Sequence, residues 1–456
     1  MRQKRVAVLC FEWAEMNGSA ELKIVRDWRG RYKRISEILD DNPLVLDLAD
    51  RDLKALSQGG KNGRRGVYTS ENLLRALIVH FVEASSLRET IIRISESPFL
   101  QDFLRLGNRP VMDFTFLDRA LKALGPETVE RMNAVLARYG ARNGLVDPTN
   151  IRTDTTVVET NIHYPTDGSL LWDSWRTLAR LLRVGRSEAP ELCVHRFHER
   201  KAKRPYLRIM RYGRSKSARR QRMVKRSWRE LIERVHWIVR AAEAFCAGTQ
   251  MGWNLGARAV AHEIEGFLPA IRKVASVAER VALNGETVPA RERVFSIFEQ
   301  HTELICRGKA RKPVEFGHAI QLSQTKDKFI SGYKVMEHRI PDSRLAPESV
   351  KGHKRVFGAP PKGITGDMGF NMTAQERAAL EKEVETLAIP RRLSDWVRVI
   401  GSLWQRFRVG IEGTISVLKR AYRLLRCPYR GFRSFAVSTG MAIVCHNLVV
   451  LANNTA

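Results

Sequence analysis

Three acidic residues are candidates for one catalytic site: Asp154, Asp367 and Glu412. They are separated by 213 and 45 residues, and each acid alone indicates little. Carboxylates that meet in one site repel each other unless cations lie between them. Two Mg²⁺ or Mn²⁺ ions, which prefer oxygen ligands, would neutralise such a triple and could activate a water or a 3′-hydroxyl for in-line phosphoryl transfer.

The first two acids fall on segments that favour strands. Asn150–Asn161 is rich in β-branched residues, which predicts a strand with Asp154 in its middle. Aspartate is disfavoured there unless a carboxylate is needed, and the alternative interpretation is an edge-strand aspartate that faces water. Gly363–Phe370 predicts a short strand that ends at Asp367.

The third acid falls on a predicted helix from about Ser394 to Leu425. Apolar residues recur there at three- and four-residue steps, which predicts one buried stripe: Val397, Ile400, Leu403, Phe407, Ile411, Ile415, Leu418, Tyr422 and Leu425. Arg408, Glu412 and Lys419 project from neighbouring faces over three turns. A carboxylate between two cations suits a metal ion and phosphates; the alternative is a solvated face with an ordinary charge pair.

The charge of the chain indicates a polyanionic partner. The 456 residues carry a net charge of +29 with a pI near 10.4, and 44% of them are apolar, as in a globular protein. Nucleic acid is the first candidate partner, although ribosomal and membrane-surface proteins are also this basic. The densest block, Arg196–Arg229, has Glu199 as its one acid and indicates contact with a nucleic-acid backbone. We select these residues as DNA contacts: Arg211, Arg214, Lys216, Arg219, Arg220, Arg222, Lys225 and Arg226.

The cysteines and apolar runs predict a cytoplasmic protein. Six scattered cysteines, with no zinc-ligand spacing, favour a reducing compartment and argue against a structural zinc. The first residues lack the pattern of a secretory signal. The most apolar run, Val437–Leu451, is interrupted by polar residues and is expected to be too short to span a bilayer.

The order of elements predicts a mixed α/β chain of four regions. Residues 1–65 form a partly helical extension with a glycine-rich loop at Gln58–Arg65, and residues 66–142 form a helical domain. We predict that the helical domain is a DNA-binding domain, in which Ser70 caps one helix and Ser86 opens another through a capping box. A DNA-binding helix-turn-helix and simple helix packing both fit it.

Residues 143–170 and 311–451 form an α/β core, interrupted by a basic helical insertion at 171–310. The core is expected to contain a hairpin (Val314–Gln324 with Phe329–Met336), a helix opened by a capping box at Thr373 and a strand at Val384–Pro390.

An acid within a first strand, a second just after a later strand and a third on a following helix is the order found in RNase H-like folds. The chain resembles the DDE transposases of bacterial insertion sequences, especially the ISNCY-type group. The residues that carry the resemblance lie in four segments: Arg152–Asp167, Lys312–Gly317, Gly366–Phe370 and Arg408–Lys419. Tyr68–Leu106 also resembles the amino-terminal domain that precedes many such cores. The likeness covers most of Tyr68–Leu451 and does not cover the first sixty or so residues.

The resemblance implies a role for each matching residue. Asp154, Asp367 and Glu412 would be the catalytic triad that binds two Mg²⁺ or Mn²⁺ ions. Arg408 and Lys419 match the arginine and lysine of a tyrosine–arginine–glutamate–lysine signature, and by charge they would hold phosphates of the transposon end. The tyrosine position of that signature is Gln405 here, a departure to which we assign no shared role. Assembly on paired DNA ends implies a dimer or higher oligomer on double-stranded DNA.

Several acids compete with the three that we select. Glu159 would face away from Asp154 on the same strand, Asp167 would lie in a loop, and Asp147 would be a turn residue. His163 is expected to be structural. Two other functions stay open: an RNase H-like nuclease without strand transfer, and a transposase-derived DNA-binding protein that has lost its chemistry.

Overall fold

The computed structural model describes residues 22–57, 67–250, 254–309, 312–391 and 401–455. It is 65% helical with one mixed sheet of seven strands, as the predicted α/β class requires. The chain divides into two compact units. Unit 1 comprises the chain up to Thr160 together with Gly317 onward, and unit 2 is Asn161–Phe316. The predicted loop at Gln58–Arg65 lies outside the described residues.

The sheet has the strand order β2-β3-β1-β5-β6, with β4 paired to β3 and β7 paired to β1. β1 is antiparallel to β3 and parallel to β5, β5 is parallel to β6, and β3 is antiparallel to β4. The strands are β1 (Asn150–Thr160), β2 (Glu303–Lys309), β3 (Lys312–Gln324), β4 (Ile330–Val335), β5 (Gly363–Thr365), β6 (Thr386–Ala388) and β7 (Arg426–Cys427).

Most of these strands confirm the sequence predictions, including the hairpin of β3 and β4. The expectation of helix up to Ala310 is wrong, because β2 is a strand. Its sequence, Glu-Leu-Ile-Cys-Arg-Gly-Lys, does not alternate apolar and polar residues and contains one β-branched residue, so its strand signal is weak beside the long helices that precede it. The two-residue strand β7 was not predicted either, since it forms only by pairing with the end of β1.

The helices of unit 1 precede, separate and follow the strands of the sheet along the chain. They are α1 (Lys23–Asp41), α2 (Pro43–Leu53), α3 (Ser70–Val82), α4 (Leu87–Glu96), α5 (Pro98–Phe103), α6 (Phe114–Ala123), α7 (Pro126–Arg142), α12 (Leu345–Phe357), α13 (Ala374–Glu381), α14 (Gly401–Ala421) and α15 (Phe432–Asn454). The capping boxes at Ser86 and Thr373 are confirmed. The cap of α3 is Thr69 and not Ser70, because the Thr69 hydroxyl accepts from Asn72 N while Ser70 donates to Asp50.

Helix α15 is the centre of the core of unit 1. It is longer than the predicted apolar run and, among the described residues, it alone has the length and hydropathy of a membrane span. In that helix 89% of the apolar window is buried inside the protein, as in a core helix. Some of its buried polar residues form hydrogen bonds inside the protein, although the Thr439 hydroxyl has no partner among the described residues. Asn447, for example, accepts from Ile330 N at 2.9 Å and donates to Asn133 Oδ1 at 2.7 Å.

Helix α14 lies against the sheet through a narrow face. Ile411, Thr414 and Leu418 are buried at helical spacing, which confirms the middle of the predicted stripe. The outer part of that stripe is wrong, since Leu403 is 73% exposed and Leu425 follows the helix end and is 58% exposed. Residues 392–400, where the predicted helix would begin, lie outside the described residues.

Unit 2 is a helical body with its own hydrophobic core. Its helices are α8 (Asp167–Glu188), α9 (Glu199–Tyr212), α10 (Ala218–Gln250) and α11 (Leu255–Ala282). Trp172 stacks on Trp175 and on Tyr206, which joins α8 to α9. The five cysteines among the described residues are free.

Candidate active site and nucleic-acid interface

Asp154 and Asp367 lie at the same level of two neighbouring parallel strands. The pairing of β1 with β5 joins Asn150 to Gly363 and ends at Arg152 and Thr365. Each aspartate is two residues beyond that last pair, so the spacing of 213 residues between them equals the register offset of the strands. Neighbouring strands are about 4.8 Å apart, so the fold carries both aspartates to one edge of the sheet.

The Asp154 and Asp367 carboxylates each accept a local backbone hydrogen bond. The Oδ1 atom of Asp154 accepts a 2.7 Å hydrogen bond from the backbone N–H of Thr155, a residue beyond the part of β1 that pairs with β5. The Asp367 carboxylate likewise caps a turn, because its Oδ1 atom accepts from Gly369 N at 2.8 Å. Both side chains are half-buried. Each carboxylate therefore has a local structural role.

Helix α14 packs on the face of β1 that carries Asp154. Arg152, which shares that face by strand alternation, donates from Nη1 to the carbonyl oxygen of Phe407 at 2.7 Å and from Nε to Gln324 Oε1 at 2.7 Å. Gln324 in turn donates to Thr414 Oγ1 at 2.6 Å. The sheet and the helix that bears Glu412 are therefore joined by a buried polar network.

Glu412, Arg408 and Lys419 form one stripe on α14. At about 100° per residue the three positions fall within an arc of about 40°. Arg408 Nη2 lies 3.1 Å from Glu412 Oε1, and the Glu412 side chain is 56% exposed. The three residues therefore form the predicted stripe, in which Glu412 forms an ion pair with Arg408 of the same helix.

The three acids fit divalent cations in chemistry and only partly in position. Carboxylate oxygens are the ligands that Mg²⁺ and Mn²⁺ prefer. Over the residues that the structure describes, however, no group of three or more histidine, cysteine, aspartate or glutamate residues is close enough to hold a metal ion. A site that includes Glu412 requires this side chain to leave Arg408 and turn towards the two aspartates.

One further acid near this edge was missed by sequence reasoning. Asp342 Oδ2 accepts from Thr155 Oγ1 at 3.4 Å. A Cβ atom added to Gly369 would lie 3.2 Å from Asp342 Oδ2 and 3.0 Å from Asp367 Oδ1, so both carboxylates approach the same glycine. Asp342 begins a short 3₁₀ turn, Asp342–Arg344, after a proline, and nothing in that local sequence distinguishes it from an ordinary turn residue.

The competing acids are held by cations elsewhere. Glu159 Oε2 is 3.0 Å from Arg426, Asp167 Oδ1 is 3.2 Å from Arg293, and Asp147 Oδ2 is 2.5 Å from Lys326. The expectation of a loop at Asp167 is wrong, because Thr166 caps α8 and Asp167 is its first residue. There a carboxylate stabilises the amino-terminal end of the helix. His163 pairs with Asp173 at 3.4 Å.

The basic block of unit 2 is a solvent-facing surface. Every lysine and arginine between Arg196 and Arg229 is exposed, including all eight that were selected as DNA contacts. They lie on α9, on the first turns of α10 and on the connection between these helices. Arg211 and Arg220 lie over the Tyr212 ring, at 5.9 and 5.3 Å from its centroid. A surface with this single sign of charge attracts phosphates.

Comparison of the chain with protein-family models, with curated proteins and with solved structures gives no significant match.

Proposed function

We propose that this protein is a metal-dependent transposase that cuts DNA at the ends of an insertion sequence and joins them to target DNA. The observation that carries the proposal is the shared level of Asp154 and Asp367 on two parallel strands, with Glu412 on the helix that packs on the face of Asp154. Aspartates that only faced solvent would not need to lie at the same level of two neighbouring strands. The proposed place of action is the cytoplasm, at the nucleoid.

The topology of the sheet supports an RNase H-like core. Three antiparallel strands, β4, β3 and β1, are followed by the parallel strands β5 and β6 on the other side of β1. Helix α12 connects β4 to β5, α13 connects β5 to β6, and α14 follows β6. This is the arrangement that we expect of an RNase H-like sheet, with unit 2 inserted between its first two strands.

Each charged group has a role in the proposed reaction. Asp154, Asp367 and Glu412 would hold two Mg²⁺ or Mn²⁺ ions, which supply an activated oxygen nucleophile and stabilise the leaving oxygen when bound. Arg408 and Lys419 would bind phosphates beside the reactive strand. The basic surface of unit 2 would hold more of the duplex, and two or more copies would assemble on paired ends.

Strand transfer by the purified protein tests the proposal. The donor DNA carries the end sequences that flank the coding region, and the assay contains Mn²⁺. The wild type is compared with Asp154→Asn, Asp367→Asn and Glu412→Gln, and with the control Glu385→Gln, whose side chain is 70% exposed at 3.6 Å from Lys362. We expect the wild type and the control to join DNA and the three folded variants to lose joining while they still bind DNA. Full activity in one of the three would remove that acid from the site, and Asp342→Asn would be tested next.

The second candidate function is a DNA-binding protein without catalysis. It is favoured by the ion pair of Glu412 with Arg408 and by the lack of a three-ligand metal cluster in the described part of the chain. DNA binding without cleavage or joining, with several metals and authentic ends, would support this function. Cleavage without joining would instead indicate a nuclease.

A further inference from the structure

A basic cleft lies in unit 1 between the amino-terminal helices and the segment that follows α14. It has a volume of about 570 Å³. Its charged walls come from α4, α6 and the chain after α14, and they are Arg88, Asp118, Lys122, Arg423 and Arg430. Four cations thus surround one carboxylate. We call this feature the basic cleft.

Most of the positive charge in the basic cleft is available to a ligand. Lys122 is neutralised by Asp118 at 2.6 Å. Arg88 and Arg430 are exposed and, among the described residues, neither forms an ion pair, while the Arg88 guanidinium lies 4.7 Å from the centroid of the Phe114 ring. Arg423 donates from Nη1 to the carbonyl oxygen of Ala84 at 3.1 Å. Because a carbonyl oxygen is neutral, this hydrogen bond does not neutralise the charge of the Arg423 guanidinium. Three guanidinium groups are left for one anionic ligand, and their forked donors match phosphate oxygens.

A neutral hydrogen-bond chain fixes one wall of the basic cleft. Tyr429 OH and His80 Nε2 are 2.8 Å apart, and His80 Nδ1 is 3.1 Å from Thr90 Oγ1. Thr90 Oγ1 also lies 2.8 Å from Ser86 O and 2.8 Å from Ser85 Oγ, so the chain continues from His80 to the start of α4. Burial, aided by the charge of Arg423, lowers the pKa of His80 to about 3, and its imidazole is neutral. The segment around Tyr429 is therefore held against α3 without adding charge.

The backbone at Arg423 also has an unusual geometry. Its φ of 62° lies in the left-handed region, where residues other than glycine are uncommon. This conformation ends α14 and turns the chain towards Pro428 and Arg430, which line the basic cleft. Lys419, on the proposed phosphate-binding stripe, is four residues before Arg423. The cleft and the stripe are therefore close along the chain.

We propose that the basic cleft binds a phosphate of the DNA backbone and so extends the DNA-contacting surface to the amino-terminal helices. The proposal rests on the proposed function only in taking DNA as the partner. A single bound nucleotide is a poor alternative, because the cleft is open and its two free arginines are exposed. A continuous backbone that passes through the cleft could contact both Arg88 and Arg430, which line it.

The test compares two double variants of the full chain with equal charge. Arg88→Gln/Arg430→Gln removes the two free cations of the basic cleft. Arg51→Gln/Arg142→Gln removes two exposed arginines elsewhere in unit 1 and is the control. Binding to a duplex oligonucleotide is measured over a range of salt concentrations by fluorescence anisotropy. For the cleft variant we expect about tenfold weaker binding near 0.1 M salt and a salt slope smaller by about 2. For the control we expect a change below about threefold.

The outcomes separate this inference from the proposed function. Equal weakening of DNA binding in the two double variants would overturn the proposed phosphate contact in the basic cleft, because binding would then depend on total charge alone. If the wild type binds no duplex DNA, the proposed function itself fails. Inorganic phosphate is titrated in parallel by calorimetry at fixed ionic strength. Phosphate binding tighter than about 1 mM that the cleft variant alone abolishes, with DNA affinity unchanged, would assign the cleft to a free phosphate and overturn the DNA contact.

Discussion

The guanidinium group of Arg152 lies 5.0 Å over the ring of Phe407 and donates to the Phe407 carbonyl oxygen at 2.7 Å. Burial lowers the pKa of Arg152 to about 10, which still leaves the side chain charged at neutral pH. A buried charge is tolerated only where hydrogen bonds compensate for lost hydration. This contact therefore fixes α14 on β1 at a point two residues before Asp154.

A matched pair of glycines in α14 tests that anchor. A Cβ atom added to Gly410 would lie 2.0 Å from Arg152 Nη1, whereas one added to Gly413 meets nothing within 4 Å. We predict that Gly413→Ala stabilises the protein by about 0.5–1 kcal/mol through helix propensity. Gly410→Ala should destabilise it by about 1–3 kcal/mol, because the hydrogen-bonded arginine must move. Urea unfolding followed by circular dichroism measures both changes. Stabilisation of similar size in both variants would contradict the assigned role of Arg152.

Buried histidines predict how stability depends on pH. Burial lowers the pKa of His353 to about 4, from about 6.5 in an unfolded chain. Below pH 6.5 the unfolded state binds a proton that the folded state does not, so stability falls as the pH decreases towards 4. At pH 5 the loss due to this group is about 2 kcal/mol. The buried residues His80 and His446 act in the same direction.

The variant His353→Phe isolates this contribution. Phenylalanine keeps an aromatic ring beside Phe357, whose centroid is 4.6 Å from that of His353, and it cannot be protonated. We predict that the loss in free energy of unfolding between pH 7 and pH 5 is smaller in the variant by about 2 kcal/mol. Urea titrations at the two pH values give this difference directly. Parallel pH dependences in variant and wild type would show that His353 does not resist protonation.

The exposed basic surface of unit 2 predicts a steep salt dependence of DNA binding. Each phosphate contact contributes about 0.9 to the slope of log affinity against log salt. Replacing Arg219, Arg222, Lys225 and Arg226 by glutamine should therefore flatten the slope by about 3.6 if each contacts one phosphate. The control replaces four exposed cations of the same unit, Arg240, Arg258, Lys273 and Arg291. An unchanged slope in the first variant would remove this surface from the DNA-binding account.

The predictable part of the structure is the part with local signals. The β-branched run around Asp154, the capping boxes at Ser86 and Thr373 and the alternation of β3 each specify an element through its own residues. The basic surface was predictable for the same reason, since lysines and arginines without nearby acids are almost never buried and therefore face solvent.

The unpredicted part depends on contacts between distant segments. Strand β7 is two residues that pair only because the end of β1 is beside them, and Asp342 meets Thr155 across 187 residues of sequence. The predicted extent of the apolar stripe on α14 was wrong, because the periodicity of apolar residues gives the direction of a buried face but not its width or the residue at which it ends. The register that aligns Asp154 with Asp367 is also non-local; the spacing in sequence has meaning only once β1 and β5 pair.

The place at which unit 2 enters the sheet affects how the chain can fold. Glu159 at the end of β1 pairs with Gly317 in β3, so the insertion leaves and returns at adjacent backbone positions. A loop of roughly 150 flexible residues costs about 4 kcal/mol more to close than a two-residue turn. Prior folding of unit 2 around its own core would remove this cost by shortening the effective loop. Pairing of the first two core strands is thus coupled to the order in which the two units acquire structure.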